Sequence, residues 1–310
     1  MGHPVKVFAP ASVANVAVGY DILGFALEQP GDDILVREGS KPGLVISEIK
    51  GGKGKLPLDV MKNTAGYAAH RLMEHLGETD APIEMVIHKK MPFGSGMGSS
   101  AASAVGGVYA VNEYLKTGLT KNEILRFAVE GEEIADGAFH ADNVAPSLLG
   151  GMVLIRDNPS LDFKKIHLPQ GLYVAMIHPH IKILTKDSRD ILNDQVPLDL
   201  VIRQSGNLAA FIAALYTSDI DLLGRCLQDV IIEPQRSRLI PHFRHIKEMA
   251  MGLGALGFSI SGAGPAMFAL CSNSLIAENI VLEVERFLTD EQIGNSCFVS
   301  KINNEGAIKY

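Results

Sequence analysis

The chain has 310 residues, 47% of them hydrophobic and 20% charged, and its 28 basic against 35 acidic side chains leave a net charge of −7. A chain of this length can bury a large core in one or two domains, and its charge content argues against a disordered polymer. The acidic balance also argues against a nucleic-acid backbone as main partner, which selects for clustered Lys and Arg, while leaving a local phosphate site open.

Met1-Gly2-His3-Pro4-Val5-Lys6 carries no apolar stretch of the signal-peptide kind, and the apolar runs fall short of a membrane span. The expectation is a soluble, cytoplasmic protein. Cys226, Cys271 and Cys297 are scattered without CxxC spacing and read as three reduced thiols. Residues 5–9 predict a short strand closed by Pro10. Residues 81–89 alternate, with Ile83, Met85 and Ile87 on one face, which predicts a half-buried strand. It ends at Pro92 and a glycine–serine loop, and a helix is predicted over 99–116, closed by Gly118. Thr120 and Glu123 form a capping box that opens a second helix over 121–136. Gly150-Gly151 precedes an apolar run at 152–155, and the polar segment 156–165, with Asn158-Pro159, is the predicted domain boundary. Beyond it the pattern predicts a strand at 172–177 and helices at 199–215, 219–230 and 239–251. A strand at 258–261, a glycine turn Gly262-Ala263-Gly264-Pro265, a strand at 266–271 and a helix at 276–288 follow. Mixed elements without regular βαβ repetition predict an α+β fold with largely antiparallel sheets.

The strongest local signal is Pro92-Phe93-Gly94-Ser95-Gly96-Met97-Gly98-Ser99-Ser100-Ala101-Ala102. Glycines at alternate positions permit positive φ and close approach of a ligand to the backbone amides. The loop runs into a helix N-terminus, whose unpaired N–H groups and positive dipole end suit a polyphosphate. The Walker pattern is excluded, since no lysine follows Gly98, and the Rossmann spacing is absent as well.

This loop resembles the ATP-binding signature of the galactokinase, homoserine, mevalonate and phosphomevalonate kinase (GHMP) superfamily. Residues 10–24, with Asn15 and Asp21, resemble the first motif of its homoserine branch, and Ser261-Gly262-Ala263-Gly264-Pro265 resembles the third superfamily motif. His140-Ala141-Asp142-Asn143-Val144-Ala145-Pro146-Ser147, Thr185 with Arg189, and Glu233-Pro234-Gln235-Arg236 resemble further segments of that branch. The resemblance covers essentially the whole chain. It implies a two-lobed molecule: an N-terminal α+β domain over 1–155 with a left-handed βαβ unit, and a ferredoxin-like α+β domain over 165–310. It implies ATP-dependent phosphorylation of L-homoserine within threonine biosynthesis, with Mg2+ as cofactor and a homodimer as the assembled form. The alternatives are a kinase of the same superfamily acting on another alcohol, or a nucleotide-binding sensor without turnover.

Phosphoryl transfer demands positioning and charge neutralisation more than covalent chemistry. Residues 92–102, with Gly262 and Gly264 beside them, are the expected phosphate site, and Asn63 and Lys89 are placed near the nucleotide. Magnesium takes hard oxygens; Ser100 offers a hydroxyl, and the resemblance selects Glu132 over Glu130 and Glu133 because it lies eleven positions before Asn143. A zwitterionic acceptor needs an arginine fork for its carboxylate and an acid for its ammonium. Arg189 and Arg236 are expected to supply the fork and Asp21 the acid, with Asn15, His140, Asn143 and Thr185 around the substrate; Arg238 competes with Arg236. Each of these has an ordinary structural reading too: His140 as a hydrogen-bonder, Arg189 as a solvated helix-start charge, Asp21 as a turn residue. Mevalonate kinases carry a catalytic aspartate where Asn143 stands. An amide cannot take a proton near neutral pH, so His140, Asn143 and Arg189 are expected to act by approximation and charge neutralisation. Asp142, if its stretch is extended, points away.

Overall fold

The computed structural model describes residues 3–51 and 56–310; the side chains of Ala135, Asp136 and Thr185 lie outside the described set. The chain opens with an antiparallel pair, β1 (Val5–Ala14) and β2 (Leu23–Glu38). The first strand does not end at Pro10. Its register against β2 shifts between Pro10 and Ser12, and a residue lacking an N–H is tolerated at such an irregularity. Next come β3 (Leu44–Lys50), α1 (Thr64–Leu76) and β4 (Ile83–His88). β3 and β4 pair in parallel with α1 as the crossover, the one described exception to antiparallel pairing, and β4 pairs antiparallel to β2.

α2 (Ser99–Leu115), α3 (Lys121–Asp136) and α4 (Val144–Leu149) follow. The capping box of α3 is in place: Thr120 N donates to Glu123 Oε2 at 2.7 Å and Glu123 N to Thr120 Oγ1 at 3.4 Å. α2 is buried on nearly all sides, packed between α1, α3 and the sheet. β5 (Met152–Asp157) and β6 (Asp162–Ile166) form a hairpin attached to β2. The polar segment 156–165, expected as a boundary, therefore holds the end of β5, the turn and most of the second strand of that hairpin. Asp157 accepts from Ser160 N at 3.0 Å there, the kind of local bond that makes such polar residues favour turns over linkers.

The second half gives β7 (Tyr173–Pro179), α5 (Thr185–Asp190), α6 (Leu198–Thr217), α7 (Ile220–Cys226), α8 (Glu233–Arg236) and α9 (Phe243–Gly252). β8 (Gly257–Ile260), β9 (Met267–Cys271), α10 (Ser274–Asp290), β10 (Asn295–Lys301) and β11 (Ile308–Lys309) complete it. Two expected helices are shorter than their patterns. α7 stops at Cys226 because Leu227 leaves the helical region at ψ 63°. α9 begins only at Phe243, because Pro241 disfavours helix in the residue before it and His242 is left-handed at φ 59°. α6 departs from the expectation of no membrane-length run: by length and composition it is long and apolar enough to cross a membrane, yet only 17% of its apolar window is buried.

The second sheet has the antiparallel order β10-β7-β9-β8. Its side chains alternate between two cores. Val174, Met176, Phe268 and Leu270 face the core shared with the first sheet, whereas Ala175, Ile177, Met267 and Ala269 face α9 and α10. Phe25 and Phe268 meet edge-to-face at 6.0 Å and join the two sheets. β11 then returns to pair with β1. The three cysteines are unpaired, and burial pushes their thiols up, Cys226 to about 11 and Cys271 and Cys297 to about 12.

Candidate functional site

The glycine loop turns tightly between β4 and α2. Gly94, Gly96 and Gly98 all take positive φ, at 60°, 80° and 64°. No described side chain caps the N-terminus of α2, so its first amides and its dipole face an open cleft. Within the loop the residues divide by role. Pro92 belongs to the turn, Met97, Ala101 and Ala102 are buried in the core, and Phe93, Gly94, Ser95, Gly96, Gly98, Ser99 and Ser100 line the cleft. The third motif packs directly on this loop. Ser261 Oγ donates to Gly96 O at 2.6 Å and Ala266 N to Ser95 O at 2.9 Å. A methyl group on Gly96 would sit 2.5 Å from Ser261 O and 2.9 Å from Gly264 O. Gly96→Ala is therefore expected to destabilise the protein by about 1–3 kcal/mol and to weaken nucleotide binding, read by calorimetry and by displacement of a fluorescent ATP analogue.

A cavity of about 170 Å³ lies before the loop, lined by Asn15, Asp21, Glu132, His140, Asp142, Asn143, Arg189, Arg236 and the Gly262–Gly264 turn. Residues separated by more than two hundred positions in sequence thus meet in one place. Ser100 Oγ donates to Glu132 Oε1 at 2.7 Å, and Glu132 is only 7% exposed. Glu130 and Glu133 lie outside this cavity, and Glu130 pairs with Arg71 and Arg126. A carboxylate and a hydroxyl at the mouth of an anion-binding helix form the hard-oxygen set that magnesium takes alongside phosphate, so the residues present fit that ion.

On the opposite wall, Arg189 forms a two-pronged pair with Asp21, Nη1 to Oδ2 at 3.1 Å and Nη2 to Oδ1 at 3.3 Å. His140 Nε2 stands 3.7 Å from the same carboxylate. Arg236, 3% exposed, donates to Ser188 O at 2.8 Å, Gly262 O at 3.1 Å and the Tyr20 hydroxyl at 3.1 Å. These partners are all neutral, and burial pulls the guanidinium below its usual pKa. Such a cation is suited to an anionic ligand. Arg238 instead faces a separate groove with Pro241 and His245. Tyr20, whose pKa burial raises, touches both arginines, with Arg189 Nη1 3.4 Å from its hydroxyl and the Arg236 guanidinium 4.9 Å from its ring centre. In the sequence its one signal is an aromatic residue beside the candidate acid Asp21.

Three expectations change. The stretch 141–143 is a turn rather than extended, with Asn143 at φ −94° and ψ −43°. Successive side chains there do not alternate, and both Asp142 and Asn143 line the cavity. Lys89 does not reach into the cleft: its Nζ is buried, paired with Asp32 and donating to Ser99 O at 2.6 Å and Ser103 Oγ at 2.8 Å, beneath the first turn of α2. Asn63 caps α1, its Oδ1 accepting from Ala65 N and Gly66 N. Both nonetheless border a second hollow of about 220 Å³ that shares Phe93 and Ser100 with the cleft. Thr185 opens α5, and its side chain lies outside the described residues.

The loop carrying Asn15 is strained. Asn15, Val16 and Ala17 are consecutively left-handed at φ 70°, 44° and 58°, a conformation disfavoured most for the β-branched Val16. It is held by Asn15 Nδ2 donating to Gly262 O at 2.9 Å, by Asp21 N donating to Asn15 Oδ1 at 3.0 Å, and by Gln204 Nε2 donating to the carbonyls of Ala17 and Val18. Asn143 Oδ1 accepts from Ser12 Oγ at 2.9 Å, which ties the turn at 141–143 to β1.

Residues 63–151 match the family described as GHMP kinases N terminal domain, and residues 211–290 match GHMP kinases C terminal. The chain is 41% identical to the homoserine kinase of Chlorobium phaeovibrioides over 98% of both chains. It is 40% identical to that of Chlorobaculum tepidum over 98% of this chain and 97% of the other. A crystal structure of homoserine kinase from Cytophaga hutchinsonii superposes with a TM-score of 0.97 at 46% identity, covering 100% of this chain and 98% of that one. L. major mevalonate kinase in complex with R-mevalonate superposes at 0.73 with 19% identity, over 97% of this chain and 99% of that one, a likeness of fold.

Proposed function

The chain belongs to the GHMP kinases and, within them, to the homoserine kinase family, and from that premise we infer how its cleft works. The reaction is transfer of the γ-phosphate of ATP to the side-chain hydroxyl of L-homoserine, a step of threonine biosynthesis. The observation that carries the site reading is the juxtaposition, in one cavity, of an uncapped helix N-terminus and a buried guanidinium with neutral partners.

In the proposed arrangement the amides of 94–99 take the phosphates. The adenine would lie in the adjoining hollow between the half-exposed side chains of Phe93 and Ile134. Ser100 and Glu132 would hold magnesium, which supplies charge neutralisation at the phosphates. The acceptor is a zwitterion, and Arg189 and Asp21 already form a pair of opposite charges. Its carboxylate would meet Arg236 and Arg189 while its ammonium meets Asp21, replacing one ion pair by two. His140 borders that ammonium, Asn15 fixes the loop beneath it, and Asn143 would orient the hydroxyl.

The proton of that hydroxyl has two routes. Asn143 cannot accept it, so the proposal is transfer to the γ-phosphate directly or through water. Asp142, which lines the same cavity, is the rival acceptor. Asn143→Ala is expected to lower kcat on the order of tenfold to a hundredfold, whereas Asp142→Asn is expected to act mainly on stability. Loss of turnover in Asp142→Asn, with the fold and ATP binding intact and the acidic limb of the pH profile gone, would assign the base to Asp142.

The reaction itself is tested by coupled ADP release from the purified chain with ATP and magnesium across homoserine, mevalonate, galactose and shikimate. Homoserine alone is expected to give turnover. Faster turnover with another alcohol would refute the assignment.

A further inference from the structure

Two guanidinium groups on one wall of the cleft share an acceptor. The Tyr20 hydroxyl oxygen takes a hydrogen bond from Arg236 Nη2 at 3.1 Å and another from Arg189 Nη1 at 3.4 Å. The two cations therefore stand within two hydrogen-bond lengths of each other, where like charges repel. Burial, and to a lesser degree the charge of Arg189, pull Arg236 below its usual pKa. The Tyr20 ring adds a second hold, with its centre 4.9 Å from the Arg236 guanidinium carbon.

The backbone fixes Tyr20 in this place. Gly19 N donates to Asn15 O at 2.8 Å, Asp21 N to Asn15 Oδ1 at 3.0 Å, and Asn158 Nδ2 to Asp21 O at 3.1 Å, so the turn that carries Tyr20 is gripped from both sides. Asn15 Nδ2 and Arg236 Nη1 both donate to Gly262 O, at 2.9 and 3.1 Å. These contacts close into a circuit that runs from Asn15 to Gly262, to Arg236, to the Tyr20 hydroxyl and back through its turn to Asn15. The hydroxyl is the link that a phenylalanine would not supply. Burial holds the phenol above its usual pKa in spite of both guanidinium groups, so it stays neutral and leaves their charge to a ligand. A carboxylate in its place would neutralise them and compete with that ligand.

We propose that the Tyr20 hydroxyl is a positioning group of the acceptor site, a neutral spacer that holds Arg189 and Arg236 as one fork and so sets the preference for acceptors that carry a carboxylate. This rests on the reading of the two arginines as the carboxylate site. Tyr20 does not itself line the cavity, so it acts through the guanidinium groups. In that reading Asp21 shares its charge with the acceptor ammonium, which loosens its hold on Arg189. The hydroxyl keeps Nη1 beside Arg236 through the exchange. Two long side chains already set in their bound geometry lose little further freedom when the ligand arrives, and affinity rises accordingly.

Tyr20→Phe keeps the ring contact and removes the shared acceptor. It is expected to raise KM for homoserine on the order of tenfold to a hundredfold, the size of losing hydrogen bonds to charged groups, with KM for ATP unmoved. The control acceptor is n-propanolamine, which is homoserine without its carboxylate. Its kcat/KM should be the same in wild type and variant. In an Arg236→Ala background the substitution should have little further effect on homoserine, because the hydroxyl acts through that guanidinium. A wild-type KM for homoserine in Tyr20→Phe overturns the proposal, as do parallel losses on both acceptors or a collapse in melting temperature, either of which would mark a role in the fold alone. Equal use of both acceptors by the wild type would refute the carboxylate reading of the arginines itself, and the proposal with it, even where Tyr20→Phe raises KM.

Discussion

Glu132→Gln is expected to lower kcat on the order of a hundredfold to a thousandfold while leaving the fold intact, the magnitude typical of removing one electrostatic group aimed at developing charge. Glutamine keeps the shape and an oxygen for the Ser100 hydroxyl, which bonds the carboxylate at 2.7 Å, so packing at this buried position changes little. What is lost is one negative charge beside the phosphate site. The effect should therefore depend on magnesium, with half-maximal activity displaced to higher concentration, and Ser100→Ala should displace it less. Steady-state rates over a magnesium titration decide the matter. An unchanged titration curve in Glu132→Gln would remove this residue from the metal site.

Arg236→Ala is expected to reduce kcat/KM for homoserine on the order of a hundredfold to a thousandfold, in line with truncating one member of a buried charge pair. Arg236→Lys should restore little. An ammonium is a point charge on a flexible stem, whereas the guanidinium here spans Ser188 O, Gly262 O and the Tyr20 hydroxyl at once while presenting charge to the cavity. Because Gly262 belongs to the turn that packs on the phosphate loop, the KM for ATP must be followed in parallel. A rise confined to homoserine identifies a carboxylate contact. An equal rise for both substrates would mean that Arg236 only supports the turn.

Much of this site is local in sequence and was legible there. Glycines at 94, 96 and 98 followed by two serines specify backbone freedom and a helix start without reference to any other part of the chain. The Thr120–Glu123 box is local too, and it appears as read. Asn15, His140, Asn143 and Arg189, which the resemblance grouped together, all line one cavity. Features decided by distant packing were not legible. Lys89 looked free to reach phosphate because nothing near it in sequence announces Asp32, fifty-seven positions earlier. Pro10 looked like a stop because its tolerance depends on a bulge made with β2. The orientation of Asp142 was inferred from an assumed extended backbone, and a single turn ahead of α4 reverses it. Tyr20 acquires importance only when α5 and α8 bring two guanidinium groups onto its hydroxyl.

The left-handed run at Asn15, Val16 and Ala17 has a consequence for any attempt to harden this enzyme against heat. Each such residue holds back on the order of 1–3 kcal/mol, so the loop ranks among the easiest places to gain thermal tolerance by substitution. In the proposed arrangement it is also the floor on which the amino acid would rest. Variants selected for survival at high temperature alone would tend to relax that floor and drift toward robust proteins that handle homoserine poorly. A screen that demands turnover and heat tolerance together would be driven to find its gains elsewhere in the molecule.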